Sequence, residues 1–579
     1  MDYIGLKIKA PLWIYPNKNP ALFQQIIEEF NIHPVTAQIL ISRGFKTVQE
    51  IHDFLYAKLP NLYDPGLFPD MDKAVTRILA AIRAKEAILI YGDNDVDGMT
   101  AAALLTEFLR EIGASVYFDI PNRAKLKKSI IGDALQFALD RKCKLLITVD
   151  CGITAAKELQ EVVEHGIDVI VTDHHEPTTK IPLCAATLNP KLINSPYPNR
   201  ELTGVGVAFK LVHALMNTLI ENEEIDSSKI DLKNSLDLVA LGMIGDMGVL
   251  KGENRILVRY GLKQMNQTKR VGLAKLIELG DLKSKEITPA DVASKIAPRL
   301  NSLGRIADPI KGVELLLLQK QDEAKRLVKE LDLNNLERQK IEREASEDIE
   351  GIFFKHPEMF QNKAILLHSE KWHPGIIAIL SARIAKQYNR PTAIFSVEQG
   401  IGKGSLRTIP EFPLLPILKQ NEDLLINFGG HDFAAGLTLK EENIPIFKKR
   451  FINAAEKLLK ESDVTPKIHL DAKIHFRDLT FDFMDSLQLL EPFGHENPAP
   501  LLYCDATQIW PPKIIGKYHL KLFLEQGDRM LEGIALGLAD RKGELQGKNL
   551  SLQIAFTPQI NNFLNKSSIQ LLVKDFQVK

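Results

Sequence analysis

Cysteine is scarce in this sequence, since its 579 residues include only four. The four cysteines are far apart, and no pair has the C-x-x-C spacing. This argues against a disulfide scaffold and against a zinc ribbon. Few, widely spaced cysteines are typical of proteins that work in a reducing compartment, so we expect a cytoplasmic protein.

Long apolar runs and an excess of one charge are missing as well. No stretch of about 18 uncharged apolar residues occurs, so we predict no membrane-spanning segment. The first residues lack the basic and apolar regions of a signal peptide, and we expect none. Lysine and arginine total 73 and aspartate and glutamate 74, which gives a formal net charge of −1. A polybasic nucleic-acid binder is therefore excluded, although a local basic groove is not.

The sequence does have the composition of a folded protein with several domains. Hydrophobic residues make up 45% and charged residues 25%, as is ordinary for a globular chain. Disorder would need low hydrophobicity together with a high net charge. At roughly 100–200 residues per domain, the length indicates about three to five domains.

Short apolar strands alternate with helices between residues 75 and 171. We predict strands at 88–91, 115–120, 145–149 and 168–171, and helices at 75–87, 100–112, 133–140 and 154–165. This alternation is typical of a doubly wound α/β fold, in which helices cover both faces of a parallel sheet. Ligands of such folds bind at the carboxyl ends of the strands, and we therefore expect the functional site there.

The sequence pattern changes twice beyond this region. Residues 322–349 contain 15 charged residues out of 28, which is typical of a long solvated helix between two domains. After Pro466, short alternating runs separated by turns predict a small all-β barrel or sandwich. We predict five segments: a helical lead-in at 1–74, a parallel-sheet domain at 75–310, a connecting helix at 311–355, a smaller α/β domain at 356–462 and the all-β domain at 463–579.

An acidic loop, Gly92-Asp93-Asn94-Asp95-Val96-Asp97-Gly98, follows the first predicted strand. Its three carboxylates repel one another unless a cation neutralises them, and oxygen-rich sites of this kind suit Mg²⁺ or Mn²⁺. The alternatives are a solvated acidic turn and a calcium loop of the EF-hand type. An EF-hand loop needs a glutamate at its twelfth position, which is Leu104 when counted from Asp93.

Two further strand ends carry residues of the same chemistry. Asp150 follows the strand at 145–149, and Asp173-His174-His175 follows the strand at 168–171. Either one alone would indicate a helix cap or a surface histidine, but three such clusters at one edge of a sheet favour a metal site. Imidazole ligands shift the preference from Ca²⁺ towards Mn²⁺, Mg²⁺ or Zn²⁺. A fourth candidate, Asp246, ends the apolar run at 238–245.

Together these residues resemble the four motifs of the DHH phosphoesterase superfamily. Further strings are similar to the single-strand-specific 5′→3′ exonucleases within it: Leu202–Ala208, Ala297–Arg305, Gly402–Thr408, Phe428–His431 and Pro492–Pro498. The strings are short, but their number and order make the resemblance specific. It extends from about residue 75 to the C-terminus and implies a DHH domain, a DHHA1 domain that closes over the substrate, and an OB-like nucleic-acid-binding barrel.

The resemblance implies a site that holds two Mn²⁺ or Mg²⁺ ions. The implied metal ligands are Asp93, Asp95, Asp97, Asp150, His174 and Asp246. Asp150 would bridge the two ions and take part in catalysis, and His175 would face the scissile phosphate as a catalytic residue. This agrees with the residue chemistry, because two cations can together activate a water and stabilise the leaving oxygen.

The direction of digestion requires a group that recognises the end of the strand, because a phosphodiester carries no marker of direction. Gly402–Thr408 offers backbone N–H groups, a hydroxyl and an arginine to a phosphate. Gly429-Gly430-His431 lets the backbone approach a ligand closely, although taken alone the string favours an ordinary strand turn. With the resemblance added, the candidates for substrate binding are Arg123, Arg299, Arg305, Ser405, Arg407 and His431.

This chain departs from the resembled family in two places. Asn94 replaces the aromatic residue that is usual between the first two aspartates. We expect little consequence, because this is not a ligand position. After Arg123 the chain has an atypical segment with three lysines where Glu-Gly-Tyr-Gly is usual, so the family's substrate contacts are not carried over to that segment.

The C-terminal segment carries no charge signal of its own. Residues 466–579 contain 13 basic and 13 acidic residues, so charge alone does not predict DNA binding there. Tyr518, Phe523 and Phe563 are candidates for stacking on bases, although core packing is favoured for Phe523.

These observations predict a metal-dependent 5′→3′ exonuclease. It would hydrolyse single-stranded DNA to 5′-mononucleotides with a water activated by two metal ions, in DNA repair and recombination. The alternative is a DHH phosphodiesterase acting on short oligoribonucleotides or cyclic dinucleotides, but such relatives are shorter and lack the string at 298–305 and the β-rich domain. A catalytically silent DHH scaffold, as in the eukaryotic replicative helicase, is disfavoured because every ligand position is filled. The expected partners are single-stranded DNA with a 5′-phosphate, a single-strand-binding protein and a helicase, and we expect a monomer.

Overall fold

The computed structural model describes residues 10–122, 131–226, 230–547, 549–563 and 566–579, without the side chains of Phe563 and Lys566. These residues divide into two compact units. The parallel-sheet unit comprises residues 56–339 and 492–498, and the mixed-sheet unit comprises residues 10–55, 340–491 and 499–579. The boundaries of the five predicted segments stay predictions.

The described part of the chain begins with a short strand and three helices, β1 (Leu12–Ile14), α1 (Pro20–Phe30), α2 (Pro34–Ser42) and α3 (Val48–Tyr56). Both α1 and α2 have proline at their first position, where a missing N–H group costs nothing. The helices agree with the predicted helical lead-in, whereas β1 was not predicted from the sequence.

A five-stranded parallel sheet forms the centre of the parallel-sheet unit. Its strands are β2 (Ala87–Gly92), β3 (Ser115–Asp119), β4 (Leu145–Val149), β5 (Asp168–Thr172) and β6 (Ala186–Leu188), in the spatial order β3-β2-β4-β5-β6. The first helices of this unit are α4 (Met71–Arg83), α5 (Val96–Glu111), α6 (Gly132–Asp140) and α7 (Ala156–Glu164). This confirms the predicted doubly wound fold. The strand order reverses between β2 and β4, and the carboxyl ends beside such a reversal are where ligands bind.

Eight further helices are described between residues 204 and 355, and the first seven of them belong to the parallel-sheet unit. They are α8 (Gly204–Glu221), α9 (Leu236–Gly245), α10 (Gly252–Met265), α11 (Val271–Leu279), α12 (Pro289–Asp291), α13 (Ala297–Ile306), α14 (Ile310–Leu317) and α15 (Gln321–Lys355). A π-helical turn at Val292–Ile296 precedes α13. It lies where Pro298 has no N–H to donate to the regular series of α-helical hydrogen bonds. The charged helix predicted from composition is α15. It starts at Gln321 rather than at residue 311, because Leu318 adopts an extended conformation and ends α14.

The mixed-sheet unit contains a second α/β segment. Its strands are β7 (Ile365–Ser369), β8 (Thr392–Glu398), β9 (Ile401–Arg407), β10 (Leu425–Gly430) and β11 (Ala434–Lys440), in the spatial order β10-β11-β9-β8-β7. Only β7 and β8 are parallel, and the other neighbours are antiparallel. The helices of this segment are α16 (Ile377–Tyr388), α17 (Leu414–Lys419) and α18 (Ile444–Leu458).

The C-terminal part of the mixed-sheet unit is rich in β-structure, as predicted. It comprises β12 (Lys467–His469), β13 (Ala472–Lys473), α19 (Phe481–Gln488), β14 (Leu502–Gln508), β15 (Lys513–Ile515), β16 (His519–Gln526), β17 (Arg529–Ala535), β18 (Leu550–Phe563) and β19 (Lys566–Val578). Strand β14 pairs with both β18 and β16, which closes the sheet into a barrel. Strand β1 pairs with β12, and Nε1 of Trp13 donates to Oδ2 of Asp575 at 2.6 Å. The N-terminal strand therefore belongs with this β-rich part.

Among the helices that the structure describes, none combines the length and the apolar character needed to cross a membrane.

Candidate metal centre

The acidic loop connects the carboxyl end of β2 to α5. The carboxylate of Asp93 is buried and accepts the N–H of Asn94 at 2.7 Å. Asp95 is the N-cap residue of α5 and accepts the N–H of Gly98 at 3.1 Å. The loop is therefore ordered by its own carboxylates, as helix N-termini often are.

Asp97 and Asp150 meet at the N-terminus of α8. Both oxygens of the fully buried Asp97 accept backbone N–H groups of this helix, from Gly204 at 2.6 Å and from Val205 at 2.9 Å. Asp150 follows β4 and has a left-handed backbone, with φ 59°. A Cβ atom on Gly204 would lie 2.4 Å from Oδ1 of Asp150. Glycine at position 204 is therefore what lets α8 approach Asp150.

The triplet Asp173-His174-His175 follows β5 at the same edge of the sheet. Asp173 is buried and accepts the backbone N–H groups of Ile153, His174 and His175 at 2.9, 2.7 and 3.0 Å. It also lies 2.7 Å from Nδ1 of His175. Asp173 thus fixes the backbone of the triplet and the ring of His175.

The imidazole of His174 lies among three carboxylates from three different elements. Its Nε2 is 3.1 Å from Oδ1 of Asp150, 3.7 Å from Oδ2 of Asp246 and 3.9 Å from Oδ2 of Asp97. Asp246 follows α9 directly, as its C-cap residue. The structure therefore brings Asp246 to the edge of the sheet, although it belongs to no strand end.

Three overlapping groups have ligand atoms within 4.8 Å of one another: Asp93, Asp95 and Asp150; Asp97, His174 and Asp246; and Asp150, His174 and His175. All of the metal ligands predicted from the sequence are thus in one cluster, and Asp150 belongs to two of the groups. Their assignment as ligands stays a prediction.

Burial and mutual repulsion raise the pKa of several of these carboxyl groups. The pKa of Asp97 is raised to about 7 by burial and by the charge of Asp95. The pKa of Asp246 is raised to about 8 by burial and by the charges of Asp97 and Asp95. Burial and the charge of Asp97 hold the pKa of Asp150 well above its usual range. The cluster therefore carries more negative charge than its own surroundings can stabilise.

The donor atoms of the cluster fit a divalent cation. Oδ1 of Asp150 is buried and, apart from the approach of Nε2 of His174 to 3.1 Å, it has no hydrogen-bond donor among the described residues. A buried carboxylate oxygen of this kind needs a positively charged partner. Carboxylate oxygens combined with imidazole suit Mn²⁺ or Mg²⁺. The residues present are therefore placed to bind such an ion.

Arg299 and Arg305 lie on α13, within the parallel-sheet unit. The guanidinium of Arg299 donates to Oδ1 of Asp332 at 2.9 Å and to the backbone oxygen of Lys295. A phosphate would therefore compete with Asp332 for Arg299. Arg305 is partly buried. Arg123, a further predicted phosphate ligand, and the atypical lysine-rich segment up to residue 130 lie outside the described residues.

Ser405, Arg407 and His431 belong to the mixed-sheet unit. Strand β9 directs Ser405 and Arg407 to the same face of its sheet, since they are two residues apart. The guanidinium of Arg407 donates to the backbone oxygen of Leu406 at 2.8 Å, and burial lowers its pKa. Within the described chain no carboxylate forms an ion pair with Arg407. His431 lies in the turn between β10 and β11, where its N–H donates to the backbone oxygen of Ala434 at 2.8 Å.

In the β-rich part, two aromatic side chains lie together on the outer face of the sheet: Phe523 of β16 and Trp510, which follows β14. Trp510, which was not predicted from the sequence, is 52% exposed, and its ring centroid lies 5.4 Å from that of Phe523. The ammonium groups of Lys513 and Lys521 lie 5.6 and 5.5 Å from the centre of the Phe523 ring. The expectation that Phe523 is a core residue is wrong, because the alternation of β16 buries its leucines and turns Phe523 outwards. Tyr518 is 37% exposed, and the side chain of Phe563 lies outside the description.

Sequence reasoning also missed Asn189, which follows the three-residue strand β6. Its Nδ2 donates to the backbone oxygen of His175 at 2.9 Å, and its Oδ1 accepts the N–H of Lys191 at 2.7 Å. The strand-end rule that identified Asp150 applies equally to Asn189, but so short a strand has no recognisable pattern.

Three family models match the chain. The DHH family, N-terminal domain, matches residues 87–243, the DHHA1 domain matches residues 361–461, and the RecJ OB domain matches residues 470–575. The three domains implied by the motifs are therefore all present, in the expected order.

Individual relatives match over nearly the whole chain. The sequence is 35% identical to the single-stranded-DNA-specific exonuclease RecJ of Bacillus subtilis (strain 168), over 96% of this chain and 69% of that protein. It is 31% identical to the RecJ of Dickeya dadantii (strain 3937), over 93% of this chain and 95% of that protein.

Solved structures agree with the sequence comparison. The fold is similar to the crystal structure of RecJ from Thermus thermophilus in complex with Mn²⁺, with a TM-score of 0.82 and 29% identity, over 98% of this chain and 79% of that one. The Mg²⁺ complex of the same protein gives a TM-score of 0.75 and 26% identity, over 98% and 78%. The chain therefore belongs to the RecJ family of single-stranded-DNA-specific exonucleases.

Proposed function

We propose that this protein is a metal-dependent exonuclease that hydrolyses single-stranded DNA from its 5′ end to 5′-mononucleotides. One observation carries the proposal: a RecJ-family chain gathers buried and partly buried carboxylates and imidazoles from four elements at the carboxyl ends of a parallel sheet, where the strand order reverses. The substrate specificity in the names of the relatives supports the choice of single-stranded DNA.

The cluster is proposed to hold two Mn²⁺ or Mg²⁺ ions through Asp93, Asp95, Asp97, Asp150, His174 and Asp246. When bound, such a pair of ions supplies activation of a water and neutralisation of charge on the scissile phosphate. Asp150 and His174 each belong to two of the ligand groups, and we propose that Asp150 would be the carboxylate shared by both ions.

His175 is proposed to contact the scissile phosphate. Its ring is held through Nδ1 by Asp173, so that the other nitrogen is left to donate to a substrate oxygen. Burial lowers the pKa of His175, but its hydrogen bond to Asp173 and the surrounding carboxylate charges outweigh this and raise it to about 9. His175 is therefore positively charged at neutral pH in the metal-free protein, which suits an anionic ligand.

The 5′-phosphate is proposed to bind Ser405 and Arg407, with Arg123, His431 and one of the two arginines of α13. Arg407 supports this role best, because a partly buried guanidinium that has no acidic partner among the described residues is available to a phosphate dianion. Reading the terminal phosphate, rather than any property of the metal ions, would then set the 5′→3′ direction.

We further propose that the chain acts as a cytoplasmic monomer in DNA repair and recombination, on strands exposed with a helicase and a single-strand-binding protein. Sedimentation of the purified protein tests the monomer, and pull-down with each partner tests the assembly.

Product analysis on single strands labelled at either end tests the proposed activity. With Mn²⁺ or Mg²⁺, a 5′-label should appear at once as a mononucleotide, whereas a 3′-label should remain on a shortening strand. EDTA should stop both reactions. Duplex DNA, RNA and cyclic dinucleotides serve as competing substrates, and faster turnover of short RNA or cyclic dinucleotides would support a DHH phosphodiesterase instead.

A further inference from the structure

Helix α13 contacts the acidic loop through two hydrogen bonds. Oδ1 of Asn301 accepts the backbone N–H of Val96 at 3.0 Å. Nδ2 of Asn94 donates to the backbone oxygen of Gly304 at 3.2 Å. Both contacts join residues that are more than 200 positions apart in the sequence, and neither uses a predicted metal ligand.

The bond from Val96 to Asn301 satisfies a donor that has no other partner within its helix. Val96 is the first residue of α5, and the first N–H groups of an α-helix have no intrahelical acceptor. Asp95 satisfies two later N–H groups, those of Gly98 and Met99. Val96 is 1% exposed, so its N–H depends on Asn301 rather than on bulk water for an acceptor.

Gly304 fixes the other side of the loop by close approach. A Cβ atom at this position would lie 1.9 Å from the backbone oxygen of Asn94, so any side chain at 304 would displace the loop. Asn94 is itself buried. Its amide donates to the backbone oxygen of Gly304, the residue whose close approach limits the loop.

A loop with three carboxylates needs such support, because its charges repel one another before a cation arrives. We propose that Asn301 and Gly304 are positioning residues that hold the acidic loop in its metal-binding conformation. The inference rests on the proposed metal-dependent function and adds to it the part of the fold that prepares the site.

Mn²⁺ binding to the metal-free full-length chain, measured by electron paramagnetic resonance and calorimetry, tests this inference without an activity assay. Removing a group that orients a ligand typically weakens metal binding about 10- to 100-fold, and we expect this for Asn301→Ala and for Gly304→Ala. Ser294→Ala is the matched control, because the exposed hydroxyl of Ser294 donates to the backbone oxygen of Ala290 in the preceding turn and, in the part of the chain that the structure describes, makes no contact with the acidic loop. That variant should bind Mn²⁺ like the wild type.

Circular dichroism and thermal unfolding of each metal-free variant show whether it folds. If Asn301→Ala does not fold, Asn94→Ala decides, since it removes only the bond to Gly304 and should weaken Mn²⁺ binding by a smaller factor. Wild-type Mn²⁺ affinity in a folded Asn301→Ala variant, or in Asn94→Ala where that variant decides, would overturn the inference. A wild-type protein that binds no Mn²⁺ would instead overturn the proposed function.

Discussion

At the scale of single residues, the pair formed by Asp173 and His175 shows how the fold sets a charge beside the metal cluster. Asp173 is buried and accepts four hydrogen bonds, three of them from backbone N–H groups. It cannot move without disturbing the loop after β5. The position of His175 therefore depends on Asp173, and its protonation depends on Asp173 together with the charges of Asp93 and Asp246.

We expect Asp173→Asn to lower the pKa of His175 in the metal-free protein. The present pKa of about 9 depends on the hydrogen bond and the charge of Asp173, working against burial. Asparagine keeps one acceptor oxygen but no charge. A ¹³C-histidine NMR titration in EDTA measures the change, with the exposed His165 as a reference that should not respond. An unchanged His175 titration would show that Asp173 does not set its charge.

The same pair gives a pH dependence of stability with a definite sign. The folded pKa of His175, about 9, lies above the value of about 6.5 in an unfolded chain. The stabilisation from protonated His175 is therefore complete below about pH 6.5 and is lost as the pH rises through about 9. Asp173→Asn should reduce this loss in urea unfolding of the metal-free protein.

At the scale of elements, strand β9 is proposed to form part of the 5′-phosphate pocket. Loss of a hydrogen bond to a charged group costs about 1.5–3 kcal/mol, or roughly 10- to 100-fold in rate or affinity. We expect Arg407→Ala to lose about this factor on 5′-phosphorylated strands and less on 5′-hydroxyl strands. Arg407→Lys should recover only part of it, because lysine keeps the charge without the planar fork.

Arg450→Ala is the control for this experiment, since Arg450 is an exposed arginine of the same unit that pairs with Asp423. It should leave the ratio of the two substrates unchanged. An unchanged ratio in Arg407→Ala would place the 5′-phosphate pocket elsewhere, with Arg299 and Arg305 as the next positions to test.

The outer face of β16 gives a second prediction at this scale. Trp510 and Phe523 with two lysines combine the stacking surface and the positive charge that bind single strands. Loss of one stacked base costs about 1–3 kcal/mol, so Trp510→Ala should weaken oligonucleotide binding roughly 5- to 100-fold. Fluorescence anisotropy in EDTA measures this without hydrolysis. Phe481→Ala removes an exposed aromatic residue of the same unit and should have no effect, and equal affinities of the two variants would rule out stacking on Trp510.

At the scale of the whole molecule, the sequence predicted those parts of the structure that depend on residues close to one another in the chain. The strands of the parallel sheet read as apolar runs because β4, for example, is buried at every position. Asp150 and the Asp-His-His triplet could then be placed at one edge, because parallel strands end together. The family, the fold class and the closed β-rich part are confirmed by the comparisons and the structure.

The features that the sequence could not predict depend on contacts between distant segments. Strands β1 and β12 have three residues each, too few for a period, and form only by pairing across some 450 positions. Asn301 appears in the sequence as one polar residue on a helix, and its contact with the acidic loop arises only in the folded chain. The same is true of Asp97, whose carboxylate caps a helix that begins more than 100 residues later.

The central claim is that the carboxylate and imidazole cluster binds the metal ions that catalyse strand hydrolysis, and Asp150→Asn tests it most directly. Asparagine has the same shape and tolerates the left-handed backbone of Asp150. The raised pKa of Asp150 shows that its ionised form is unfavourable in the metal-free fold. Because asparagine cannot ionise, the variant should be at least as stable as the wild type without metal. We predict that folded Asp150→Asn loses Mn²⁺ binding in calorimetry and releases no mononucleotides from 5′-phosphorylated single strands. Release near the wild-type rate at saturating Mn²⁺ would contradict the account.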